Sequence, residues 1–288
     1  MSVLPTQSSV PALYIVATPI GHLEDITRRA LAILGGVNRI LAEDTRHSQK
    51  LLQYYAIDCP LVSLHEHNEA GRIQQIKGWL DAGESLALVS DAGTPLISDP
   101  GFPVVRALTE AGYAVVPIPG VSALIAALSV SGLPTDRFQF AGFLPAKSGP
   151  RERALADLLA YTGTSVIYES PRRVLATLDS LAELAPERPV VMARELTKQF
   201  ETLLRGTAQS VQAQVAADTN QQRGEIVLLI GGGPARAAAG TVDVEALLLL
   251  LAEHLPPKKA AGAAAELLHD SKNALYKRLL AVQNHKDL

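Results

Sequence analysis

From Leu13 to Ile118 short apolar runs alternate with longer helical patterns, and this alternation limits the possible folds more than any other feature of the chain. Leu13–Ala17, Arg39–Ala42, Leu61–Leu64, Ser85–Ser90 and Ala114–Ile118 read as strands. Between them, Ile26–Leu34, Ser48–Tyr55, Ala70–Leu80 and Pro103–Ala111 read as helices, the first with Asp25 placed to cap it and Gly35-Gly36 to stop it. Parallel strands need a crossover long enough to hold a helix, so strand, helix, strand at this spacing predicts βαβ units and a largely parallel sheet.

The second half keeps the α/β character with different spacing. Phe138–Phe143, Ser165–Tyr168, Pro189–Ala193 and Glu225–Ile230 read as strands of a mixed sheet; Arg151–Ala160, Arg172–Leu184 and Ala208–Ala216 read as helices. Gly120–Leu133, apolar and rich in small residues, is expected to be a helix at the junction. The expected organisation is a disordered start over 1–12, α/β domains over 13–119 and 120–230, a Gly/Ala linker over 231–242 and a helical module over 243–288. In that module Val244–His254, Lys258–Leu268 and Lys272–Val282 are helical patterns, Ser271 stands where a cap belongs, and the turn Leu268–Lys272 is as short as in a helix-turn-helix.

At 288 residues, 48% of them apolar, the chain exceeds one core of usual size and has ample material for two, which excludes wholesale disorder. Its densest apolar run, Ala246–Ala252, falls far short of the ~20 residues a membrane span needs. Met1–Ala12 has neither the basic nor the apolar stretch of a signal peptide. A single cysteine, Cys59, precludes an intrachain disulfide or a cysteine zinc cluster and suits a reducing cytoplasm. The net charge of −3 argues against a chain coated in nucleic acid, but basic residues cluster at Lys147, Arg151, Arg153, Arg172 and Arg173, and again beyond Leu255. Taken singly, each cluster reads as a solvated face.

Several chemistries lack their motifs. No G-x-G-x-x-G follows the first strand, and no Walker A sequence occurs. Gly120-Val-Ser122-Ala-Leu124 lacks the last glycine of a nucleophile elbow. His65-Glu-His67 would put two imidazoles on one face of a strand, yet no third ligand stands nearby and H-E-x-x-H is absent, so no metal site is expected.

What remains is a set of loops at one predicted sheet edge, where open α/β sheets bind ligands. Thr18-Pro-Ile-Gly21 follows the first strand. Ala42-Glu-Asp-Thr-Arg46 follows the second and packs two carboxylates, a hydroxyl and a guanidinium together. Ser90-Asp-Ala-Gly-Thr-Pro95 runs on to Ser98-Asp-Pro-Gly101, and Pro117–Ala123 opens the junction helix. Any one of them is an ordinary βα turn; four at the junction of two domains predict a ligand cleft.

These loops, with Gly142-Phe-Leu-Pro-Ala-Lys147, Tyr168-Glu-Ser-Pro-Arg172, Arg194-Glu-Leu-Thr-Lys198 and Gly224-Glu-Ile-Val227, resemble the tetrapyrrole methylase superfamily, in order from Leu13 to Ile230. More narrowly, they resemble its bacterial branch of 16S ribosomal RNA ribose methyltransferases, and the tail resembles that branch's C-terminal helical module. The resemblance implies S-adenosylmethionine in the interdomain cleft, 2′-O-methylation of a decoding-centre cytidine, 16S rRNA or the small ribosomal subunit as partner, a homodimer and a cytoplasmic location. It implies cofactor contacts from Thr18, Pro19, Ile20, Gly93, Thr94, Ile97, Ser122 and Ala123, with Tyr168, Glu169, Ser170 and Glu225 closing over the adenosine. Gly93-Thr-Pro95 stands where Gly-Asp-Pro occurs elsewhere in the superfamily, a change that removes a carboxylate.

A ribose hydroxyl needs its proton taken as it attacks, work in which a positioned base contributes about 10²–10⁴-fold. Glu43, Asp44, Asp91, Glu195 and Lys198 are the candidates. The Glu43–Arg46 loop is favoured, since an acid beside the Arg46 cation suits a ribose and its phosphate. Each carboxylate alone fits a cap or a salt bridge equally well. His65 and Asn68 are expected at the acceptor, and Lys147, Arg151, Arg172, Lys258, Lys259, Lys277 and Arg278 at RNA phosphates. Two other functions stay open: a methyltransferase of the same fold acting on a tetrapyrrole or another small molecule, which would not need the basic tail, and a non-catalytic RNA-binding protein, which would not need the polar loops.

Overall fold

The computed structural model describes residues 11–233, 244–268 and 270–286. In chain order the first half comprises β1 (Ala12–Val16), α1 (Arg28–Leu34), β2 (Arg39–Ala42), α2 (Thr45–Tyr54), β3 (Leu61–Ser63), α3 (Glu69–Asp81), β4 (Leu86–Val89), α4 (Phe102–Glu110) and β5 (Ala114–Ile118). The five strands form one sheet in the order β3-β2-β4-β1-β5, and every pairing is parallel. Successive residues of a strand face opposite sides, so both faces must be covered. Tyr14 and Val16 pack with Ile33 and Leu34 of α1 and Leu52 of α2. Leu13, Leu41 and Leu88 pack on the other face with Ile76 and Leu80 of α3 and Val104 and Leu108 of α4. The carboxyl ends of β1, β2, β4 and β5 therefore carry the polar loops to one edge.

The second half comprises α5 (Ala123–Ser131), β6 (Phe138–Phe143), α6 (Ser148–Ala160), β7 (Thr164–Glu169), α7 (Val174–Leu184), β8 (Pro189–Arg194), β9 (Thr202–Thr207), α8 (Ala208–Ala217) and β10 (Ile226–Ile230). Its sheet runs β6-β7-β10-β8-β9, parallel at β6/β7 and antiparallel elsewhere. The α/β class and the mixed second sheet are as expected. Ala127 and Leu128 of α5 join Ile20 of the first loop, Val166, Val191 and Leu229 in one core cluster, which ties the first loop to the second sheet.

Several boundaries differ from the sequence reading, each for a local reason. Thr27, not Asp25, caps α1, its hydroxyl accepting from the Ala30 N–H at 3.0 Å, while Asp25 closes a short 3-10 turn. α2 starts at Thr45 rather than Ser48, because the Asp44 carboxylate caps it by accepting from the Arg46 N–H at 2.8 Å. The junction helix starts only at Ala123, since Gly120–Ser122 remain loop. The strand Thr202–Thr207 went unpredicted; its Arg205-Gly206 pair breaks the apolar alternation, and pairing along the whole of β8 holds it.

Residues 1–10 of the expected disordered start lie outside the described residues; Ala12 is fully buried in β1. The expected linker begins too early at 231. Gly231 N–H donates to the Pro189 carbonyl and Gly233 N–H to the Tyr161 carbonyl, both at 2.8 Å, and 234–243 lie outside the described residues.

The chain divides into two units after Gly233. In the second unit α9 (Val244–His254), α10 (Pro257–Leu268) and α11 (Lys272–Lys286) enclose Leu248, Ala260, Ala261, Ala264, Leu275 and Leu279. The alanines of α10 let its neighbours approach closely. Lys258, Lys259, Lys277 and Arg278 are all exposed, and Arg278 lies 3.8 Å from Glu245. His269, within the expected turn, is outside the described residues. Among the described residues no helix is long and apolar enough to cross a membrane.

Candidate active site

The loop after β4 is strained where it meets the rest of the cleft. Of five non-glycine residues with positive φ among the described residues, Leu96 and Ser98 lie in that loop and Glu195 and Thr197 in the β8–β9 loop. Such conformations cost of order 1–3 kcal/mol each and persist only where surroundings enforce them. Gly93, at φ +79°, pairs with Thr18 through two backbone hydrogen bonds of 2.9 and 3.0 Å, locking the β4 loop to the β1 loop. Gly21 lies flat on the β8–β9 loop, where a Cβ would come within 2.7 Å of Thr197 Oγ1 and 3.0 Å of the Leu196 carbonyl. The His22 N–H donates to the same threonine at 3.0 Å.

Around these loops lies a cavity of about 380 Å³, within the size range of small-molecule sites. Ten of the twelve residues expected around the cofactor line it: Ile20, Gly93, Thr94, Ile97, Ser122, Ala123, Tyr168, Glu169, Ser170 and Glu225. Thr18 and Pro19 line an adjoining cavity instead. The sequence reading missed Asp99, Phe143, Ala193, Leu196 and Val227, which also form its walls. Thr94 Oγ1 donates to the Val121 carbonyl at 3.0 Å and so ties the β4 loop to the loop that opens α5. The Tyr168 hydroxyl meets the backbone of Leu124 and the hydroxyl of Ser122, and burial pushes its pKa up. Phe143 reaches Tyr168 across a bulge in β6, the rings 5.8 Å apart.

Glu169 anchors the floor. Its side chain is 0% exposed, paired to Arg173 at 2.7 Å, and accepts from Thr177 Oγ1 and the Ser170 N–H at 2.7 Å each. Removing one partner of such a pair strands a charge. Arg173→Ala is expected to lower the unfolding free energy by about 3–5 kcal/mol, read as a drop in urea midpoint.

Two further cavities, each of about 580 Å³, flank the first. One shares Ile20, Ala92 and Glu225 with it and is also lined by Asp91 and Lys198. The other shares Ser98 and Asp99 with it and contains Glu43 and His65. Carboxylates cluster beside the boundary of the first and third cavities: Asp99 lines both, Glu43 lines the third, and Asp91 approaches from the second. Burial, then the charges of Asp91, Asp99, Glu66 and Asp44, push Glu43 up to about 7. Burial likewise lifts Asp99 to about 6, against a hydrogen bond from Ser90. Asp91 accepts from the Asp44 N–H at 3.1 Å.

The other catalytic candidates are engaged elsewhere. Arg46 pairs with Asp44 at 3.0 Å rather than with Glu43, and its side chain is 89% exposed. That bond holds the Asp44 carboxyl down at about 2, which suits a helix cap better than a base. Lys198 bridges Glu195 at 3.0 Å and Glu225 at 3.1 Å. Although burial opposes it, hydrogen bonds from the Glu225 N–H and Lys198 keep Glu195 below the ordinary carboxylate range.

Among the residues expected to meet RNA, His65 lines the third cavity and is held by Asn68, whose Nδ2 lies 3.0 Å from its Nε2. β3 ends at Ser63, so His65 and His67 occupy a turn rather than one strand face. Lys147 and Arg172 are exposed, whereas Arg151 is 7% exposed with its guanidinium near the Ala146 carbonyl, so it offers no surface cation. Among the described residues no group of three or more His, Cys, Asp or Glu could hold a metal ion.

Two sheets joined by a short helix, with strained loops around a central cavity and two flanking ones, define a methyltransferase of the tetrapyrrole methylase kind: residues 12–212 match the Tetrapyrrole (Corrin/Porphyrin) Methylases model, and the chain belongs to that family. Residues 238–283 match the model of the RsmI C-terminal HTH domain. Ribosomal RNA small subunit methyltransferase I of Escherichia coli O157:H7 is 49% identical over 272 residues, 94% of this chain and 95% of that one. Its Pseudomonas aeruginosa counterpart is 48% identical over 278 residues, 96% and 99% of the two chains. Among solved structures, cobalt precorrin-4 methyltransferase (TM-score 0.58, 18% identity, 80% of this chain and 98% of that one) and diphthine synthase (TM-score 0.61, 12% identity, 76% and 90%) share the fold.

Proposed function

We propose that the chain transfers a methyl group from S-adenosylmethionine to the 2′-hydroxyl of a cytidine in 16S ribosomal RNA. The observation that carries this reading is the 49% identity to a ribosomal RNA small subunit methyltransferase over 94% of the chain, helical module included. The central cavity suits the cofactor. It has apolar walls at Ile20, Ala193 and Val227, an aromatic one at Tyr168, and hydroxyls at Thr94, Ser122 and Ser170.

When bound there, S-adenosylmethionine supplies a methyl group activated by a sulfonium. Ile20, Thr94, Ile97, Ser122 and Ala123 would hold it and Tyr168 would cover it, with S-adenosylhomocysteine as the thioether left when the methyl departs. The acceptor ribose sits at the carboxylate junction, where Glu43 takes the hydroxyl proton as the oxygen attacks. Fixing the oxygen in line with the methyl is the larger contribution, since effective molarities for aligned groups are worth about 7–11 kcal/mol. The lost proton resides on Glu43 and passes to solvent after release.

The test is transfer of radiolabelled methyl to small ribosomal subunits from a strain lacking this gene, in chelator, with the labelled nucleoside identified. Label in 2′-O-methylcytidine is expected; no label, or label on a base, overturns the reading. The protein works in the cytoplasm as a metal-free homodimer on this reading, and sedimentation velocity tests the dimer.

The helical module grips RNA through Lys258, Lys259, Lys277 and Arg278. Reversing the charge of Lys277 and Arg278 is expected to leave cofactor affinity and sedimentation intact. RNA affinity should fall, and the log–log salt slope should shrink by about 0.7–0.9 per lost contact. If truncation before Val244 changes sedimentation first and charge reversal leaves RNA affinity unchanged, the module is a brace instead.

A further inference from the structure

The cavity shared through Ile20, Ala92 and Glu225 has a wall that the reaction above does not use. His47, Lys50 and Tyr54 fall at i, i+3 and i+7 on α2, one face of the helix, and all three line it. Tyr54 is 59% exposed, yet its orientation is set from behind. Its ring meets Tyr55 edge-on, centroids 4.9 Å apart and planes at 82°. Tyr55 is pinned in turn, its hydroxyl donating to the Leu23 carbonyl at 2.7 Å. An aromatic face turned to solvent and fixed by a second ring is what a stacking platform requires.

The charges on the same wall sort cleanly. Lys198 is already paired with Glu195 and Glu225, and Asp91 accepts from the Asp44 N–H. Lys50 and His47 make no side-chain ion pair among the described residues. The cavity thus offers a free cation beside a fixed aromatic ring, next to the carboxylate junction. Base stacking with a nearby cation is how single-stranded nucleic acid is held without base-edge readout.

We propose that this second cavity seats the nucleotide adjoining the methylated one, its base stacked on Tyr54 and its phosphate facing Lys50, with His47 beside it. The proposal rests on RNA being the substrate. It makes α2 a gripping element that keeps the target ribose at the junction once the strand is unstacked. Every base has a π face, so the subsite is tolerant of sequence.

The experiment measures binding of the full chain to fluorescently labelled single-stranded oligocytidylate by anisotropy, with S-adenosylhomocysteine affinity measured in parallel by calorimetry. Tyr54→Ala is expected to weaken RNA binding roughly 10-fold or more, Tyr54→Phe to leave it unchanged, and Lys50→Glu to lower the salt slope by about 0.7. All three should bind S-adenosylhomocysteine as the wild type does. Unchanged RNA affinity in Tyr54→Ala overturns the proposal, as does an equal loss in Tyr54→Phe, which would point to the hydroxyl. Phe102, 63% exposed, lines the third cavity, and a loss at Phe102→Ala with Tyr54→Ala unaffected moves the nucleotide there and also overturns it. A wild type that binds S-adenosylhomocysteine but no RNA strikes the substrate reading itself.

Discussion

Glu43→Gln is expected to lower kcat/KM for ribosomal RNA methylation by about 10²–10⁴-fold while leaving S-adenosylhomocysteine affinity within a factor of two. Glutamine keeps the size and polarity of the side chain but cannot accept a proton. Glu43 also lies outside the central cavity, so cofactor binding should not register the change. Among the candidates it alone combines a place on the third cavity's wall, beside the Asp99 that cavity shares with the central one, with a pKa near neutrality. Asp44 caps a helix with its carboxyl held at about 2, and Glu195 is tied to Lys198. A flat mutant-to-wild-type ratio would exclude Glu43 and transfer the role to Asp91, which lines the neighbouring cavity.

The same residue sets a pH signature. Burial and its acidic neighbours raise Glu43 to about 7 from the 4.5 of a free carboxyl. The folded chain therefore binds a proton between those values that the unfolded chain has released. By linkage this contribution to stability is lost as pH rises from about 4.5 through 7, the reverse of the usual salt-bridged carboxylate. Activity should move the other way, rising with unit slope below about 7 and levelling above it as the base ionises. Glu43→Gln should flatten the activity profile and raise stability at pH 8.

The first sheet was legible because its faces obey one rule. Leu13 and Tyr14 pack into opposite layers, so a central strand such as β1 or β4 is buried on both faces and shows as a short continuous apolar run between helical crossovers. The polar loops were legible for the same reason, since strand ends place them on one edge. Which carboxylate sits among others was not legible. Glu43 and Asp44 are adjacent in sequence, yet one is lifted toward neutrality and the other held at about 2. That division depends on Asp91 and Asp99, brought in by the β4 loop, and on where α2 begins. Tyr54 was hidden likewise: as a sequence it ends an amphipathic helix, and only its Tyr55 buttress marks it as a platform.

The central cavity admits a test with a comparably large effect. Ser122→Trp and Thr94→Trp should each weaken S-adenosylhomocysteine binding by roughly 100-fold or more, about 2.7 kcal/mol, because an indole would fill space a ligand of this size must occupy. Ser122 is the cleaner site. It stands at the N-cap of α5 but makes no side-chain cap bond, so replacing it removes no helix-end hydrogen bond. Its hydroxyl meets Tyr168, and Ser122→Ala isolates that contact from the steric effect. Thr94→Trp also breaks the bond to the Val121 carbonyl and should lose some stability without ligand; Thr94→Ser keeps the hydroxyl and should behave as wild type. The readout separates filling from unfolding. Ligand at 100 times its Kd stabilises the wild type by about 2.7 kcal/mol. Ser122→Trp should melt near the wild-type temperature without ligand and gain almost nothing from it. Were Ser122→Trp to bind S-adenosylhomocysteine at wild-type strength, the cofactor would have to lie in one of the two flanking cavities, and the roles proposed for Thr94, Ile97 and Tyr168 would fall with it.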